Sequence, residues 1–256
     1  MAMQQNTPAN PSGGTATTVD PAEIAKFSKL SDEWWDPNGK MAPLHKINPL
    51  RLTYIRDTAC RKFERNVKSL NCLSGLRILD IGCGAGLLCE PFTRLGAQVI
   101  GVDPSATNIA AARLHADKGH LSIDYRCTTV EQMDVRERFD IVLAMEVVEH
   151  VSDIGMFLNR CAAMLKPGGM MVISTLNRNW KSFALAIVGA EYVLRWLPRG
   201  THQWDRFVTP DELARDLANN KLAVTDQAGV VYNPLADRWS LSSDMDVNYM
   251  VVAEGI

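Results

Sequence analysis

Three polar side chains that can bind a cation or accept a proton follow the apolar segment FDIVLAM. They are Glu146, Glu149 and His150 in the sequence MEVVEHV. If a helical turn forms there, positions i, i+3 and i+4 lie on one face and bring the three side chains together. Two carboxylates and an imidazole can bind a divalent cation such as Mg²⁺, and an imidazole alone can take a proton from a hydroxyl group near neutral pH. A purely structural interpretation is also open, in which these residues cap a helix or orient a neighbouring loop.

A second candidate site is the glycine-rich stretch LDIGCGAGLL, residues 79–88. Because glycine has no Cβ, Gly82, Gly84 and Gly86 allow the backbone to turn tightly and to approach a ligand. Asp103 ends the next apolar segment, QVIGVD, where a carboxylate can accept hydrogen bonds from both ribose hydroxyls. These features together predict an adenosine-containing cofactor. The GxGxG spacing differs from the GxGxxG of dinucleotide folds and disfavours a nicotinamide dehydrogenase.

The elements that must position both sites alternate along the chain. From residue 77 onward, short β-rich segments such as RILDI and QVIGVD are followed by helical stretches, which predicts a doubly wound α/β sheet of parallel strands. Two C-terminal segments, LAVTDQAGVVYNP and VNYMVVAEG, are predicted to be antiparallel neighbours. The preceding residues 21–70 are predicted to be a helical lead-in, with one helix behind Asp20-Pro21 and another behind Asn48-Pro49.

Length and composition limit the possible architectures and partners. The chain has 256 residues, and we expect residues 21–256 to form a single domain with an α/β core over 77–256 and an insertion at about 178–208. A hydrophobic content of 46%, a charged content of 22% and a net charge of -2 are ordinary for a globular protein. They give no electrostatic basis for a nucleic-acid partner.

The cysteines and the N-terminal residues bear on the cellular compartment. The six cysteines include no CxxC pair, which favours a reduced compartment over a secreted one. Residues 1–20 are small and polar, and they contain neither Lys or Arg nor the apolar core of a signal peptide. We expect these residues to be a disordered tail and the protein to be cytoplasmic.

Four motifs resemble the class I S-adenosylmethionine-dependent methyltransferases. They are LDIGCGAG, VDPS, FDIVLAMEVVEHV and MLKPGG. The resemblance implies a Rossmann-like seven-stranded sheet whose last strand is antiparallel, with N-terminal helices and a helical insertion after the fifth strand. It also implies S-adenosyl-L-methionine as the cofactor. The acceptor stays open, because this fold serves many substrates.

Longer strings outside this core are similar to the ubiquinone-biosynthesis O-methyltransferase family. They include EIAKFSKLSDEWWDPNGKMAPLHKINPLRLTYI, STLNRNWKSFALAIVGAEYVLRWLPRGTH and YNPLADRWSLSSDMDVNYM. The resemblance implies methylation of phenolic hydroxyls on polyprenylated catechol and demethylubiquinol intermediates, at both O-methylation steps of the pathway. Other ubiquinone-pathway enzymes are candidate partners. The alternative is a class I methyltransferase for another small lipid or phenolic acceptor.

The resemblance assigns cofactor contacts to Arg51, Gly82, Asp103 and Met145. Arg51 can pair with the carboxylate of the cofactor, and Met145 can supply a polarisable wall. Without the resemblance, Arg51 would be interpreted as a solvent-facing helix residue and Met145 as core packing. A phenol must lose its proton to become a good nucleophile, so His150 is the candidate general base. A divalent cation held by Glu146, Glu149 and His150 is the alternative way to acidify the phenol.

The chain also contains an unusually apolar stretch at residues 183–197, bordered by Arg178, Lys181 and Arg199. A helix over 182–197 would be about 24 Å long, shorter than the hydrocarbon core of a bilayer, and it would contain Glu191 and Arg195. We therefore exclude a membrane span. Residues 178–199 are instead predicted to cover the acceptor pocket and to lie on an anionic membrane surface, which would place the protein at the inner face of the membrane.

Overall fold

The architecture is an α/β sandwich built on one mixed sheet. The computed structural model describes Thr18, Asp20 and residues 34–182 and 204–256. Its strands are β1 (Arg77–Ile81), β2 (Gln98–Asp103), β3 (Asp124–Cys127), β4 (Phe139–Met145), β5 (Leu165–Leu176), β6 (Leu222–Asn233), β7 (Arg238–Ser242) and β8 (Asn248–Gly255). Its helices are α1 (Ala42–Lys62), α2 (Cys89–Arg94), α3 (Ala106–Lys118), α4 (Ile154–Ala163) and α5 (Pro210–Asn219), with one α-helical turn at Trp180–Ser182 and 3-10 turns at Val130–Gln132, Val148–His150 and Trp204–Arg206.

The strand order is β3-β2-β1-β4-β5-β8-β6-β7. Strands β1 to β5 pair in parallel, and β8 lies antiparallel between β5 and β6. The antiparallel pairing predicted for the two C-terminal segments is confirmed. The order reverses between β1 and β4, so a crevice opens at the carboxyl ends of these two strands. This is where the glycine-rich turn and the MEVVEHV turn both lie.

The sheet of the described residues has eight strands, one more than expected. The additional strand is β7, which forms an antiparallel hairpin with β6 at the sheet edge. The sequence RWSLS does not predict it, because the segment is short and mostly polar. An edge strand needs apolar residues on one face only, so its periodicity is weak.

Each face of the sheet is covered by helices. Alternate residues of the central strands, such as Ile141 and Leu143 of β4, pack on one side in a cluster that includes residues of α1, α2 and α3. Their neighbours Val142 and Ala144 pack on the other side with residues of α4 and α5. Burial on both faces explains why the parallel strands are almost continuously apolar.

Helix α1 begins earlier than predicted. It starts at Ala42 with a proline in its first turn, and Pro49 lies inside it rather than at its start. A proline inside a helix costs about 3 kcal/mol because it removes one hydrogen bond and crowds the preceding turn. The buried side chains Ile47, Arg51 and Ile55, spaced four residues apart, hold the helix against the sheet and offset this cost.

Several predictions fall on residues outside the described part. The first predicted helix, PAEIAKFSKLSDEWWD, lies mostly outside the described residues, and only Trp34 of its apolar positions is described, in a turn. The apolar stretch 183–197 also lies outside the described residues. Two residues of the predicted tail are described: Thr18 is buried and its carbonyl accepts a hydrogen bond from the Ser152 backbone, 2.8 Å, and Asp20 pairs with Arg206.

Over the described ranges, no helix combines the length and the apolar character that crossing a bilayer would require.

Candidate active site

The glycine-rich turn joins β1 to α2 and is shaped by left-handed backbone conformations. Gly82 has φ 68° and Gly84 has φ 53°. A Cβ on Gly82 would lie 2.6 Å from Val147 Cγ2 in the turn after β4, so the two loops approach each other too closely for any side chain at this position. The sequence predicts a close approach of the backbone at residue 82. In the structure this approach is to Val147 of the same protein.

Asp103 lies at the end of β2 beside this turn, as predicted. Its Oδ2 accepts a hydrogen bond from the Gly84 backbone N–H, 3.0 Å, and its Oδ1 accepts from the Ser105 backbone, 2.8 Å, and from Asn108 Nδ2, 3.2 Å. A carboxylate has about four acceptor positions, so Oδ2 retains capacity for a ligand hydroxyl. Burial raises the pKa of Asp103, and the surrounding N–H donors offset part of this shift.

The turn after β4 is not the α-helical turn that would place positions i, i+3 and i+4 on one face. Glu146 has φ 57°, a left-handed conformation that is uncommon for glutamate, and a 3-10 turn follows at Val148–His150. The backbone reversal at Glu146 breaks the helical spacing, so the i, i+3, i+4 relationship does not apply. Glu146, Glu149 and His150 are therefore not spaced as on a regular helix, but the carboxyl groups of Glu146 and Glu149 still lie within hydrogen-bonding reach of each other.

Glu146 is the centre of a polar network that joins α1 to the sheet. It forms an ion pair with Arg51 and accepts hydrogen bonds from Ser174 Oγ, 2.5 Å, and Asn248 Nδ2, 2.9 Å. Arg51 also donates to Ser174 Oγ, 3.3 Å. Burial alone would raise the pKa of Glu146, but the charge of Arg51 and these hydrogen bonds outweigh it and hold the pKa below its ordinary value. Glu146 is therefore ionised at neutral pH.

Glu149 lies only three residues further but points into the protein. It is 3% exposed, its Oε2 accepts a hydrogen bond from Thr175 Oγ1, 2.8 Å, and its carboxyl group lies within hydrogen-bonding reach of that of Glu146. Burial, and then the negative charge of Glu146, raise the pKa of Glu149 well above its ordinary value. The surroundings therefore favour the charged form of Glu146 and the neutral form of Glu149.

The other predicted site residues are Arg51, Met145 and His150. Arg51 is 3% exposed rather than solvent-facing, and its Nε is buried without a partner. Met145 is partly buried at the end of β4 and packs against the cluster that contains α1 residues. His150 ends the 3-10 turn, with its side chain partly buried and its backbone N–H donating to the Val147 carbonyl, 2.9 Å. Arg51, Met145 and Glu146 meet at one end of the crevice.

Three residues of this network have no counterpart in the sequence-based prediction: Ser174, Thr175 and Asn248. The first two interrupt the apolar run of β5, and Asn248 begins β8 beside Leu176. The signal available in the sequence was the polar residue in an otherwise buried strand, since such a residue must find a hydrogen-bond partner.

Comparison with known proteins identifies the family. Residues 51–227 match a methyltransferase domain family. The chain is 81% identical over 254 residues to the ubiquinone biosynthesis O-methyltransferase of Bradyrhizobium sp. (strain ORS 278), covering 99% of both chains. It is 78% identical over 260 residues to the enzyme of the same name from Nitrobacter winogradskyi, covering 100% of both. The chain belongs to the ubiquinone biosynthesis O-methyltransferase family.

Solved structures agree with this assignment at the level of the fold. Magnesium protoporphyrin IX methyltransferase (ChlM) from Synechocystis PCC 6803 with bound SAM superposes with a TM-score of 0.61 at 13% identity, covering 90% of this chain and 96% of that one. The N-methyltransferase NodS from Bradyrhizobium japonicum WM9, in complex with S-adenosyl-L-homocysteine, gives a TM-score of 0.56 at 16% identity, covering 91% and 98%. This member of the ubiquinone biosynthesis O-methyltransferase family therefore has the class I S-adenosylmethionine-dependent methyltransferase fold, and the resemblance drawn from the sequence is confirmed.

Proposed function

We propose that the protein transfers the methyl group of S-adenosyl-L-methionine to phenolic hydroxyls of polyprenylated catechol and demethylubiquinol intermediates, at both O-methylation steps of ubiquinone biosynthesis. The observation that carries the proposal is the 81% identity, over 99% of both chains, to a ubiquinone biosynthesis O-methyltransferase. Proteins that are this similar over their full length are expected to act on the same class of acceptor.

The residues at the crevice fit the cofactor. Gly82 and Gly84 bring backbone close to the crevice, and Asp103 keeps an acceptor position at Oδ2 for a ribose hydroxyl. Arg51 has a buried, unpartnered Nε beside the network, which suits a charged group such as the carboxylate of the cofactor. When bound, the cofactor supplies a methyl group made electrophilic by its sulfonium.

The protein must then orient the acceptor hydroxyl and remove its proton. We assign the proton-accepting role to His150, which lies beyond the carboxyl end of β4 and is accessible in part. Glu149 is unsuited to the role because it is buried and already accepts a hydrogen bond from Thr175 Oγ1. Glu146 is ionised, but Arg51, Ser174 and Asn248 already occupy one of its oxygens.

A methyl-transfer assay with purified protein tests the proposal. A short-chain prenylated catechol, the matching demethylubiquinol and an unprenylated catechol are compared, and the products are measured by mass spectrometry. We expect methylation of both prenylated acceptors and much weaker methylation of the unprenylated one. Equal turnover of all three would instead support a general phenol methyltransferase, and no turnover of the prenylated acceptors would contradict the proposal.

A divalent cation does not fit the present arrangement of the three predicted ligands. Within the described ranges no group of three or more His, Cys, Asp or Glu side chains is placed to hold a metal ion. Glu146 is engaged by Arg51, and Glu149 is turned toward Thr175, so both would have to move to bind one. Activity measured after EDTA treatment and dialysis, with and without added Mg²⁺, tests whether such a rearrangement occurs.

We further infer that residues 178–199 lie on an anionic membrane surface at the cytoplasmic face. Trp180 supports this inference, since its side chain is 81% exposed at the start of the segment. Two of the basic residues are already paired within the protein, Arg178 with Glu212 and Lys181 with Asp244 and Asp246. Their charges are therefore partly neutralised.

Cosedimentation with anionic and neutral liposomes tests the membrane proposal. Trp180→Ala and charge removal at Arg195 and Arg199 should weaken binding to anionic vesicles. Charge removal at Arg178 and Lys181 should have a smaller effect, because these side chains already have carboxylate partners. Absence of vesicle binding by the unmodified protein would contradict the inference.

A further inference from the structure

Trp34 lies against the glycine-rich turn from a distant part of the sequence. Its side chain is nearly buried, 9% exposed. A Cβ on Gly84 would be 2.6 Å from Cη2 of the indole ring, so the ring covers this glycine directly. The indole Nε1 donates a hydrogen bond to Asn108 Oδ1, 3.2 Å. Trp34 therefore contacts both the glycine-rich turn and helix α3.

Asn108 connects this tryptophan to Asp103. Its Nδ2 donates to Asp103 Oδ1, 3.2 Å, and the side chain is 2% exposed. An indole N–H can only donate and an ionised carboxylate can only accept, so the amide of Asn108 has one orientation that satisfies both partners. Trp34 thereby fixes which end of the amide faces Asp103.

The contact with Asn108 determines which oxygen of Asp103 is available. Oδ1 accepts from the Ser105 backbone N–H and Asn108 Nδ2, whereas among the described residues Oδ2 accepts from the Gly84 backbone alone. The carboxylate therefore cannot rotate without losing hydrogen bonds in a buried site. Its open acceptor position stays on the Oδ2 side.

The neighbouring tryptophan anchors the same segment. Trp35 Nε1 donates to the Ala85 carbonyl, 3.1 Å, and its ring stacks on His115 with the centroids 3.4 Å apart. The His115 ring nitrogen Nδ1 lies 2.6 Å from Glu90 Oε1, which is fully buried. The two tryptophans thus hold residues 34 and 35 against consecutive residues of the turn.

We propose that Trp34 and Asn108 are positioning residues that fix the rotation of the Asp103 carboxylate, so that Oδ2 is presented to a ribose hydroxyl of the cofactor. The inference rests on the proposed function, since it concerns the same cofactor. Neither residue needs to contact the cofactor through its polar group. Their contribution is preorganisation, which avoids the cost of ordering Asp103 when the cofactor binds.

Calorimetry with S-adenosylhomocysteine and its 2′-deoxyribose and 3′-deoxyribose counterparts tests the proposal. The unmodified protein should bind the parent compound about tenfold more tightly than at least one deoxy compound, the effect expected for one hydrogen bond to a charged group. In Asn108→Ala this discrimination should fall to about twofold or less. Trp34→Phe keeps an aromatic side chain at this position but removes the N–H donor and the distal ring atoms over Gly84, so its discrimination should be intermediate.

Asn159→Ala is the matched control, because Asn159 also lies on a helix but its Nδ2 donates to Asn220. It should keep full discrimination. In steady-state kinetics, Asn108→Ala should raise the KM for S-adenosylmethionine while kcat stays near normal, a separation that general loss of structure would not produce.

Failure of the proposed function and failure of the positioning role give different results. If the unmodified protein does not bind S-adenosylhomocysteine, the proposed function is contradicted. If it binds and discriminates, but Asn108→Ala and Trp34→Phe discriminate equally well, only the positioning role is overturned. Melting temperatures of the variants identify any that fail to fold, and the conservative Trp34→Phe change keeps the test decisive in that case.

Discussion

Arg51 on helix α1 and Glu146 at the end of β4 form an ion pair that ties the helical lead-in to the carboxyl edge of the sheet. The Arg51 side chain is 4% exposed and that of Glu146 is 23% exposed. Because Glu146 also has a left-handed backbone, the pair holds a strained turn in place at the site. The same two residues therefore affect both stability and the shape of the crevice.

Removing one partner of this pair should be costly. Arg51→Leu leaves a buried carboxylate without its counter-charge, and we expect it to lower the free energy of unfolding by about 3–5 kcal/mol, measured by urea denaturation at pH 7. Adding Glu146→Gln should restore part of this loss, since the uncompensated charge is then absent. Lys46→Ala, which removes an exposed pair with Asp237, is the control and should change stability little. Equal effects of Arg51→Leu and Lys46→Ala would contradict the structural role of the pair.

Asp103→Ala should weaken cofactor binding. The carboxylate is the acceptor we assign to a ribose hydroxyl, and a hydrogen bond to a charged group corresponds to a loss of about tenfold or more in affinity. Calorimetric titration with S-adenosylmethionine measures the change. Asp117→Ala, on the exposed side of α3, is the control. An unchanged Kd in Asp103→Ala would remove this residue from the cofactor site.

Titration of Asp80 should lower the free energy of unfolding as pH rises. Burial raises the pKa of Asp80 from 3.8 to about 7; the hydrogen bond donated by Cys89 offsets part of this shift, and the charge of Asp103 adds to it. The folded protein thus holds this proton more tightly than the unfolded chain does. The associated stability is present below pH 3.8 and is lost as pH rises toward 7.

Asp80→Asn replaces the titrating carboxyl group with an amide that does not titrate. Relative to the unmodified protein, the variant should gain about 2.7 kcal/mol of stability between pH 5 and pH 8, because the folded pKa of about 7 lies two pH units above pH 5. Urea midpoints at the two pH values measure the difference. Asp117→Asn on the exposed face of α3 should show no such pH-dependent gain. A gain of the same size at pH 5 and pH 8 would show that titration of Asp80 is not its cause.

His150→Ala should lower kcat while leaving cofactor affinity almost unchanged. Loss of a general base typically costs about 100-fold to 10,000-fold in rate. Turnover of a prenylated catechol at saturating concentrations, followed by mass spectrometry, measures the effect. The control is His120→Asn, because His120 is exposed with φ 52° and asparagine tolerates this conformation. Near-normal turnover of His150→Ala would exclude the assigned role.

The cofactor half of the site is the part that the sequence predicts best. Gly82, Gly84 and Asp103 lie in two neighbouring strand–turn units, so short-range pattern and spacing suffice to bring them together. The alternation of strands and helices likewise predicts the parallel core, because each crossover is complete within a short stretch of chain.

The acceptor half depends on contacts that no local pattern contains. The backbone of Glu146 adopts a conformation that glutamate rarely prefers, and it is supported by Arg51, Ser174 and Asn248 from three other segments. Helical spacing predicted a shared face for the MEVVEHV residues only because these distant contacts were unknown. Tertiary contacts also explain why α1 runs through Pro49.

Replacement by glutamine should change the free energy of unfolding little at Glu149 and lower it strongly at Glu146. Burial, and then the nearby charge of Glu146, raise the pKa of Glu149 well above its ordinary value, so the folded state favours its neutral form. Glu149→Gln preserves an acceptor for Thr175 Oγ1 and should change the free energy of unfolding by less than about 1 kcal/mol at this pH. Glu146→Gln removes an ionised group that Arg51 requires, and it should cost about 3–5 kcal/mol.

The pH dependence separates the two carboxyl groups further. With its raised pKa, Glu149 contributes stability that is lost as pH rises toward its folded value, so Glu149→Gln should become relatively more stable in alkaline solution. Glu146 has a lowered pKa, so its contribution is lost as pH falls, and Glu146→Gln should be least harmful in acid. Urea unfolding of both variants at pH 5, 7 and 9 measures these trends. If the two variants have parallel pH profiles, the carboxyl groups do not differ in protonation as the contacts of Arg51 and Thr175 require.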